Sequence, residues 1–522
     1  MILALVAPGA TACGEDGTDA PTSVDPSPTP DPDPEPDPDP VPEEFMKYYV
    51  SADGTPNGDG SIDNPFATIN GALAVAEAGD TVFVRGGTYR ETVFFPKSGS
   101  DGHRIVLCAY GDEKPLISGE GMTWNGRSRN LVSISNVSHI TMSGFEVASL
   151  CTDTSDKEPN GIVVDAGATD ITLSNNHVHH IQNTAPRDNY PGAHAILIIG
   201  NTEKAVRRIV VERNEVHDCV TGTSESVTIN GYVDDFTICG NTIYDCSNIA
   251  IDAAGGYAAN NNPQLNYARN GVICDNLLYG IQNSLGQLEG GYGAIAIYAD
   301  GSRNITIERN RVFDCDRGIG IVSETDNFPT TGCIVRNNLV CNCLRTGIYM
   351  GGYLGYTGGG TEECYILNNT LCANNRIEGA FGEIEGELRL TENCRNTQIK
   401  NNLVCTSRKE DLFVHKYTTT GYGNELDNNH YSGPGCWMWE HQNENPITDF
   451  DLWKQTSGSD GQAVYEADPI FDFVPGIESD YSVDGTSAQD AGAVMGTYFV
   501  GETDLNGNPR IVNGKISIGA IQ

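Results

Sequence analysis

The chain has 522 residues, enough for one elongated domain or for two to four compact ones. Its 31 basic and 70 acidic residues give a formal net charge of −39. A surface this acidic repels nucleic acid and anionic membranes, so we expect neither as a direct partner, although acidic groups can bind Ca²⁺. No segment approaches about 18 uninterrupted apolar residues, so no membrane-spanning helix is predicted.

The chain begins with the apolar stretch MILALVAPGATAC, which ends in small residues before Cys13. This stretch resembles the end of a bacterial lipoprotein signal, and the resemblance implies that residues 1–12 are a signal remnant and that Cys13 is lipidated. It departs from such signals in having no basic residue before the apolar stretch, which an upstream start codon would explain, and in having Ala10 where leucine is usual. We therefore expect an exported protein, either lipid-anchored at the bacterial cell surface or outer membrane, or extracellular.

Residues 13–46 alternate proline with acidic residues, as in PDPDPEPDPDPVPEE. Such a segment cannot pack a hydrophobic core, and its charges repel one another, so it extends as a polyproline-like spacer. Placed directly after a lipidated cysteine, it would hold the following domain away from the membrane, which the protein contacts only through its anchor.

A phrase of the form apolar–x–apolar–x–x–Asn–x–apolar recurs along the chain at intervals of about 30 residues, as in ITIERNRV. Short segments with period-2 alternation and no helical periodicity between them predict a β-solenoid. Asparagines that stack at equivalent turns hydrogen-bond along the stack, so we expect one continuous ladder. Its predicted members are Asn176, Asn214, Asn241, Asn276, Asn310, Asn338, Asn369 and Asn402.

A second strand precedes each asparagine corner, for example SVTIN, NIAID, AIAIY and GIGIV. Its alternate Ile and Val residues are predicted to point inward, and Ile249 is one of them. Over the middle coils the remaining positions are unusually small, including Ala250, Ala294, Ala296 and Gly320. We expect them to form the floor of an open groove, unless a long loop folds over this face.

The segment GDTVFVRGGTYRE, residues 79–91, resembles the opening coils of right-handed parallel β-helix proteins of the pectate-lyase-like superfamily. The end, LNGNPRIVNGKISIGAIQ, resembles the closing segment of many secreted bacterial β-helix proteins. The resemblance implies an all-β fold: a right-handed parallel β-helix of about ten coils over residues 47–410, with a capping region over residues 411–522. Its chemistry stays open, because this superfamily contains lyases, hydrolases, epimerases and non-catalytic binders.

The familiar machinery of uronate lyases is absent from the sequence. No lysine occurs between Ala205 and Ile399, and Glu225 is followed five residues later by Asn230 rather than by the lysine found in family-six lyases. Arginine could still act as the base or neutralise a uronate carboxylate. The candidates in the middle coils are Arg269, Arg303, Arg317 and Arg345.

Carboxylates, in contrast, are predicted to gather on the groove face. Aligning the strands places Asn230, Asp252 and Tyr298 at one outward position, and Asp300 and Glu324 at another. Coils stack about 4.8 Å apart, so the acids would lie within about 5–10 Å of one another, as glycoside hydrolysis requires. The predicted catalytic residues are Asp252, Asp300, Glu324 and Glu225, and the predicted substrate-binding residues are Asn230, Tyr298, Tyr349 and Tyr353. A Ca²⁺ site built from the same oxygens is an alternative, and no other cofactor is predicted.

Histidines and cysteines also recur at equivalent coil positions. His179 and His217 should stack on adjacent coils near HVHH and His194, but their spacing fixes no third ligand, so no metal site is predicted. Neighbouring coils bring Cα atoms into disulfide range, whereas stacked free thiols packed as small hydrophobes are an equal alternative. The candidate pairs are Cys219 with Cys246 and Cys239 with Cys274.

Two classes of function remain. The first is a carbohydrate-active enzyme with a polysaccharide substrate, a glycoside hydrolase in preference to a lyase. The second is a non-catalytic glycan-binding or adhesin β-helix. We expect a monomer in either case.

Overall fold

Three long parallel β-sheets run along the molecule, and the chain visits them in turn. The structure is a computed structural model that describes residues 45–286, 291–377, 385–440, 445–471, 476 and 479–522. Residues 45–522 form one compact unit. Cys13, the signal remnant and nearly all of the predicted spacer lie outside the described residues.

The first sheet has sixteen strands. Thirteen follow one path: β1 (Lys47–Thr55), β2 (Thr81–Val84), β5 (Ile105–Ala109), β8 (Ser138–Ser143), β11 (Thr169–Ser174), β14 (Val206–Glu212), β17 (Val233–Cys239), β20 (Arg269–Cys274), β23 (Arg303–Glu308), β27 (Ile334–Arg336), β31 (Tyr365–Leu367), β35 (Gln398–Lys400) and β38 (Glu425–Asp427). Three short strands lie off this path: β26 (Thr330–Thr331), β30 (Thr361–Glu362) and β34 (Cys394–Arg395).

The second sheet has twelve strands and the third has thirteen. The second contains β4 (Val93–Phe94), β7 (Ser128–Ser135), β10 (Glu158–Asp165), β13 (His194–Gly200), β16 (Glu225–Gly231), β19 (Ile249–Ala254), β22 (Ile295–Asp300), β25 (Arg317–Ser323), β29 (Ile348–Gly352), β33 (Gly386–Leu390), β37 (Leu412–Lys416) and β40 (Cys436–Trp439). The third contains β3 (Gly87–Tyr89), β6 (Pro115–Ser118), β9 (Glu146–Thr152), β12 (His177–Asn183), β15 (Glu215–His217), β18 (Thr242–Tyr244), β21 (Leu277–Tyr279), β24 (Arg311–Phe313), β28 (Leu339–Cys341), β32 (Thr370–Cys372), β36 (Leu403–Cys405), β39 (His430–Ser432) and β41 (Val464–Glu466).

The predicted all-β parallel solenoid is confirmed, but it has about 13 coils rather than ten, as the thirteen strands of the third sheet show. The difference arises at the two ends, where the coils before Asn176 lack the asparagine phrase and those after residue 410 depart from it. Strands β37 to β41 continue the same three sheets through Glu466. The boundary between β-helix and cap therefore lies later than residue 410.

The eight predicted asparagines form one ladder in the turns between the first and third sheets, and Asn429 extends it to nine. At each step the side-chain oxygen of one asparagine accepts from the backbone and side-chain amides of the asparagine before it, at 3.1 and 2.9 Å for Asn310 and Asn276. The residue before each ladder asparagine has a left-handed backbone, for example Arg309 with φ of 54°. That conformation turns the chain and aims the asparagine inward, where it is buried.

Alternation along the strands builds the core, as β16 shows: Val227 and Ile229 are buried in it. One expectation fails on this sheet. Ile249 does not belong to that core but packs with Tyr298 and Tyr349 on the outer face.

Short helices flank the coils. Helix α1 (Ile69–Val75) begins at Thr68, whose hydroxyl accepts from Gly71 N at 3.1 Å, and α3 spans Thr497–Val500. Helix α2 (Phe450–Ser457) buries Trp453 against Trp437 of the last second-sheet strand, with ring centroids 6.0 Å apart. No helix among the described residues is long and apolar enough to cross a membrane.

The C-terminal region divides into two parts. The α2 segment covers the last coil, because Asp460 accepts from Trp453 at 2.8 Å and from Asn429, the final ladder residue, at 3.2 Å. The segment from residue 479 onward packs instead along the flank of the third sheet, where Leu505 and Ile518 join a separate apolar cluster. Of these two described parts, the first therefore closes the solenoid end.

Candidate active site

The predicted carboxylates lie on the outer face of the second sheet, but the strand register differs from the expectation. Asp252 aligns with Tyr298, as predicted, and with Thr228 on the other side. Asn230 aligns with Ala254 and is displaced from Asp252 by two residues. The strand pattern repeats every two residues, so the sequence alone does not distinguish these two registers.

Asp300 and Glu324 meet by a different route from the one predicted. Asp300 aligns with Val322, so Glu324 lies two residues beyond the aligned position and just after the end of β25. The chain turns there, and the backbone N–H of Glu324 donates to Asp300 Oδ1 at 2.8 Å. The two acids are therefore neighbours although their strand positions are not equivalent.

Glu324 is the centre of a group of tyrosines. Its Oε1 accepts hydrogen bonds from the hydroxyls of Tyr298 at 2.9 Å and Tyr353 at 3.0 Å, and its Oε2 accepts from Tyr257 at 3.2 Å. The Tyr257 hydroxyl also bonds to Asp300, so one phenol bridges two carboxylates. Burial, and after it nearby carboxylates, raises the pKa of each of these tyrosines, so they remain hydrogen-bond donors.

Sequence reasoning predicted Tyr298 and Tyr353 as binding residues but missed Tyr257. Tyr257 lies in the connection between β19 and β20, which has no counterpart in the repeat. The stretch GGYAANNN around it carries no pattern that would aim its ring at the neighbouring coil. Only the folded arrangement brings it to Asp300 and Glu324.

Glu225 lies at the edge of the group, beside a histidine from the preceding coil. Thr228 donates to Glu225 Oε2 at 2.9 Å, and His194 Nδ1 lies 2.7 Å from the Thr228 hydroxyl and 3.9 Å from the same carboxylate. Burial raises the pKa of Glu225 to about 7, with a further contribution from Glu324, and burial lowers the pKa of His194. The sequence had grouped His194 with the distant HVHH histidines, whereas β13 places it here.

Asp252 and Asp300 are both enclosed, with 4% and 1% of their surfaces exposed. The Asp252 carboxyl differs in its hydrogen bonding. Its Oδ1 atom is buried and has no hydrogen-bond partner among the described residues. Burial raises its pKa well above the ordinary value, and the carboxylates of Glu225, Asp300 and Glu324 raise it further. The pKa of Asp300 is also raised well above its ordinary value, mainly by burial and secondly by the charge of Glu324. These two carboxyls are suited to hold a proton near neutral pH.

A cavity of about 480 Å³ opens beside this group. Of the four predicted acids, Glu324 is the one that lines it in the described part of the chain, together with Tyr298, Tyr349 and Tyr353. Tyr349 is 7% exposed, and its ring lies 6.1 Å from that of Tyr298. The predicted tyrosines therefore do share one cavity with a predicted acid.

The expected floor of small residues is wrong in part. Ala250, Ala294 and Ala296 are buried in the solenoid core rather than on the groove face. Gly320 does lie on that face, between two rings: a β-carbon there would approach the Tyr298 ring to 2.6 Å and Tyr349 Cζ to 2.8 Å. Glycine at this position thus makes room for the tyrosines that line the cavity.

The far side of the cavity is cationic. Arg317, Arg345 and Arg389 converge on Glu385, at 3.2 Å for Arg317 and 2.5 Å for Arg345. Burial would raise the pKa of Glu385, but the three guanidinium groups outweigh it and lower that pKa to about 2. This group carries a net positive charge inside an acidic protein.

Arg317 and Arg345 were among the predicted arginines, and Arg389 and Glu385 were missed. The other two candidates, Arg269 and Arg303, pack on the Tyr267 ring at 3.7 and 4.1 Å and do not line this cavity. Arg389 occupies the same register position as Tyr349 one coil further on. The sequence repeat predicts the strand β33, but it does not predict that Arg389 on this strand lines a cavity.

The remaining candidates lie outside this cavity. His179 aligns with His217 as predicted, with stacked rings 5.0 Å apart. All fifteen cysteines in the described residues are free thiols, so Cys219 and Cys246, like Cys239 and Cys274, are not bonded in this structure. Among the described residues the four acids are not in a group of three whose side-chain ligand atoms lie within 4.8 Å of one another.

Residues 48–200 match the family model "Pel9A-like, right handed beta helix region". With the observed sheets, this match confirms the predicted resemblance to right-handed parallel β-helix proteins of the pectate-lyase-like superfamily. The uncharacterized protein YwoF of Bacillus subtilis (strain 168) is 34% identical over 430 residues, which cover 81% of this chain and 88% of YwoF. The chain belongs to the same family as YwoF.

Two further similarities were found. The pectate lyase PEL9 of Emericella nidulans is 43% identical over 74 residues, or 14% of this chain and 18% of PEL9. The crystal structure of a GH136 lacto-N-biosidase from Eubacterium ramulus is 13% identical with a TM-score of 0.48, covering 81% of this chain and 67% of that chain. The sequence similarity to a pectate lyase is thus confined to those 74 residues.

Proposed function

We propose that the protein is a carbohydrate-active enzyme that hydrolyses glycosidic bonds of a polysaccharide in the cavity beside Glu324. One observation carries the proposal: Glu324 faces a cavity lined by tyrosines and adjoins carboxyls whose pKa values are raised by burial. Glycoside hydrolysis uses two carboxyl groups, one that donates a proton and one that accepts a proton or attacks the sugar.

The environments assign the two roles. Asp252, buried and raised in pKa, is the general acid that protonates the departing glycosidic oxygen. Glu324 accepts three phenol hydrogen bonds, as an acceptor-only carboxylate does, and acts as the base towards water or as the nucleophile. The net reaction adds water across the glycosidic bond, and the proton given by the acid is replaced by the one that water loses.

The cationic side of the cavity favours a sugar that carries a carboxylate. Arg317, Arg345 and Arg389 line the cavity with planar guanidinium groups, which bind carboxylates well. The proposed substrate is therefore an acidic polysaccharide, and Tyr349 and Tyr353 provide rings on which its sugars stack.

Elimination is the second candidate, because the same arginines could neutralise a uronate. Elimination also needs a group that removes a carbon-bound proton. Burial would lower the pKa of Arg317, but Glu385 outweighs it and raises that pKa, and burial raises the pKa of Tyr349. Neither residue is a ready base at neutral pH, which favours hydrolysis over elimination.

The test is a panel of neutral and acidic polysaccharides, with reducing ends and the ultraviolet absorbance of unsaturated products measured together. Reducing ends without unsaturated product support hydrolysis, and unsaturated product supports elimination. Binding without cleavage of any panel member contradicts the enzymatic proposal and favours a glycan-binding module.

Variants then test the assignment of roles. Asp252→Asn and Glu324→Gln should each fold and lose about 10²–10⁴-fold in rate, as expected on removing a general acid or base. Asp235→Asn and Glu203→Gln make the same acid-to-amide change at exposed positions outside the site. These two control variants should keep the full rate. Full activity in both site variants would place the chemistry elsewhere.

We also propose that the enzyme acts outside the cell, held at the bacterial surface through a lipid on Cys13. The proline-rich, acidic segment after Cys13 supports this proposal, because an extended spacer would let the β-helix reach a polymer beyond the membrane.

A further inference from the structure

We propose that His177, His217 and Glu215 bind a divalent transition-metal ion, for which Zn²⁺ is the probe, on the outer face of the third sheet. This site lies on a different sheet from the cavity beside Glu324 and is independent of the proposed hydrolysis. Its two imidazoles and one carboxylate have no role in the proposed hydrolysis.

The strand register brings the three ligands together. His177 pairs with Glu215 and His179 with His217 on neighbouring strands β12 and β15. Val178 and Val216, which lie between them, are buried in the core, so alternation directs the histidines and Glu215 outward. One ligand atom from each of His177, Glu215 and His217 lies within 4.8 Å of the other two.

The two histidines face each other through ring nitrogens that a metal could share. His177 Nε2 and His217 Nε2 are 2.5 Å apart. In a tetrahedral zinc site with Zn–N bonds of about 2.0–2.1 Å, two nitrogens lie about 3.3 Å apart. A small outward shift of two partly exposed rings would therefore admit the ion between them.

Each of two ligands has a neighbour that orients it. His217 Nδ1 bonds to Asp218 Oδ2 at 2.6 Å, which places the Nδ1 proton on the carboxylate side and leaves Nε2 as the free lone pair. Tyr244 donates to Glu215 Oε1 at 2.8 Å, and its ring stacks on that of His217 at 4.7 Å. Carboxylate–histidine pairs of this kind are typical support for metal ligands.

The surroundings favour a cation. Glu215, Asp218 and Glu146 contribute three carboxylates near the two rings, and Glu146 Oε1 lies 3.1 Å from His179 Nε2. These three carboxylates outweigh the charge of Lys114, a base that also acts on His177. Two imidazoles and one carboxylate form the ligand set of many zinc sites in which a water takes the fourth position.

A second group of ligand atoms serves as an internal comparison. Cys239, Cys274 and Asp275 also converge within 4.8 Å. A hydrogen bond from Cys239, and after it burial, raises the pKa of Cys274, which opposes the thiolate that a metal requires. We therefore assign the ion to the histidine site and use the cysteine site as a control.

The experiment measures Zn²⁺ binding to the full chain by equilibrium dialysis, after treatment with a chelator and with excess Mg²⁺ present to mask weak binding to exposed acids. One Zn²⁺ per chain and a rise in Tm on Zn²⁺ addition are expected. Asp218→Asn, which removes only the orienting carboxylate charge, should weaken binding about 10- to 100-fold.

The double variant His177→Gln/His217→Gln should lose the bound Zn²⁺, while its melting without metal stays close to that of the parent. Cys239→Ser and Glu203→Gln should keep one Zn²⁺ per chain. With Co²⁺ as the probe, histidine–carboxylate ligation gives visible bands without the thiolate charge-transfer absorption of a cysteine site. No stoichiometric Zn²⁺, binding that survives the double variant, binding lost in Cys239→Ser, or a thiolate band would each overturn the proposal.

Discussion

Glu225→Gln should make the protein more stable at alkaline pH and leave its stability unchanged at acidic pH. The carboxyl has a pKa of about 7 in the folded protein, raised by burial from an ordinary value of 4.5. Between pH 4.5 and pH 7 the Glu225 carboxyl is ionised in the unfolded chain but still protonated in the folded one. The folding stability therefore falls as the pH rises from about 4.5 to 7. The full penalty is about 3 kcal/mol, from 1.36 kcal/mol per pH unit over that interval.

Glutamine removes the charge and keeps an oxygen for the Thr228 hydroxyl, which now bonds to Glu225 at 2.9 Å. For a unit of roughly 480 residues, unfolding entropies of about 2 cal/mol/K per residue convert 3 kcal/mol into about 3 °C in Tm. The assay is thermal unfolding of parent and variant between about pH 4 and pH 9. His194 Nδ1 lies 3.9 Å from the Glu225 carboxylate, so the difference between the Tm values of parent and variant reports on Glu225 together with this histidine.

The Tm difference should be near zero at pH 4 and should grow to its maximum by about pH 8. The exposed variant Glu203→Gln should show no such growth. A constant difference across pH, or a variant that is less stable at pH 8, would refute the argument that Glu225 is ionised at a cost.

Three further changes test the ladder, the arginine group and the anchor. Asn310→Ala should lower the free energy of unfolding by about 1–3 kcal/mol in urea, because it leaves buried Asn276 donors without an acceptor. Asn261→Ala, at an exposed position, should cost far less. Glu385→Gln should cost about 3–5 kcal/mol in the same assay, because it removes the carboxylate shared by two buried guanidinium groups, those of Arg345 and Arg389, and by the partly exposed one of Arg317. Little change would show that solvent already screens these arginines. Cys13→Ala should abolish labelling of the protein by a fatty-acid analogue and release it into the soluble fraction, and equal solubility of both forms would exclude the anchor.

The fold could be predicted because one physical constraint repeats. Each asparagine corner needs a residue with a left-handed backbone, followed by an asparagine with a buried side-chain amide. This requirement produces a recognisable sequence motif about every 30 residues. Coils without this motif were missed in the count: after β8, for example, Phe145 stands at the ladder position, and its backbone N–H donates to Asn176 Oδ1. The ladder therefore predicts the architecture and underestimates its length.

The site could be predicted only as a neighbourhood. Asp252, Asp300, Glu324 and Glu225 do gather on one face, because the coil spacing forces residues of adjacent strands together. The predicted alignments of Asn230 with Asp252 and of Asp300 with Glu324 were each wrong by two residues. A shift of two residues leaves the same side chains facing outward, so the sequence pattern does not reveal it. Contacts made by connections between strands leave no periodic trace in the sequence.

The four acids differ in their surroundings, and this difference makes acid–base chemistry available to a protein with a net charge of −39. Glu324 faces the cavity and accepts three phenol hydrogen bonds. Asp252 is enclosed, and one of its oxygens has no hydrogen-bond partner among the described residues. Four equally exposed carboxylates would all ionise and repel one another, whereas burial raises the pKa of Asp252 well above its ordinary value. The composition predicts an abundance of acidic residues, and the packing decides which of them have a raised pKa.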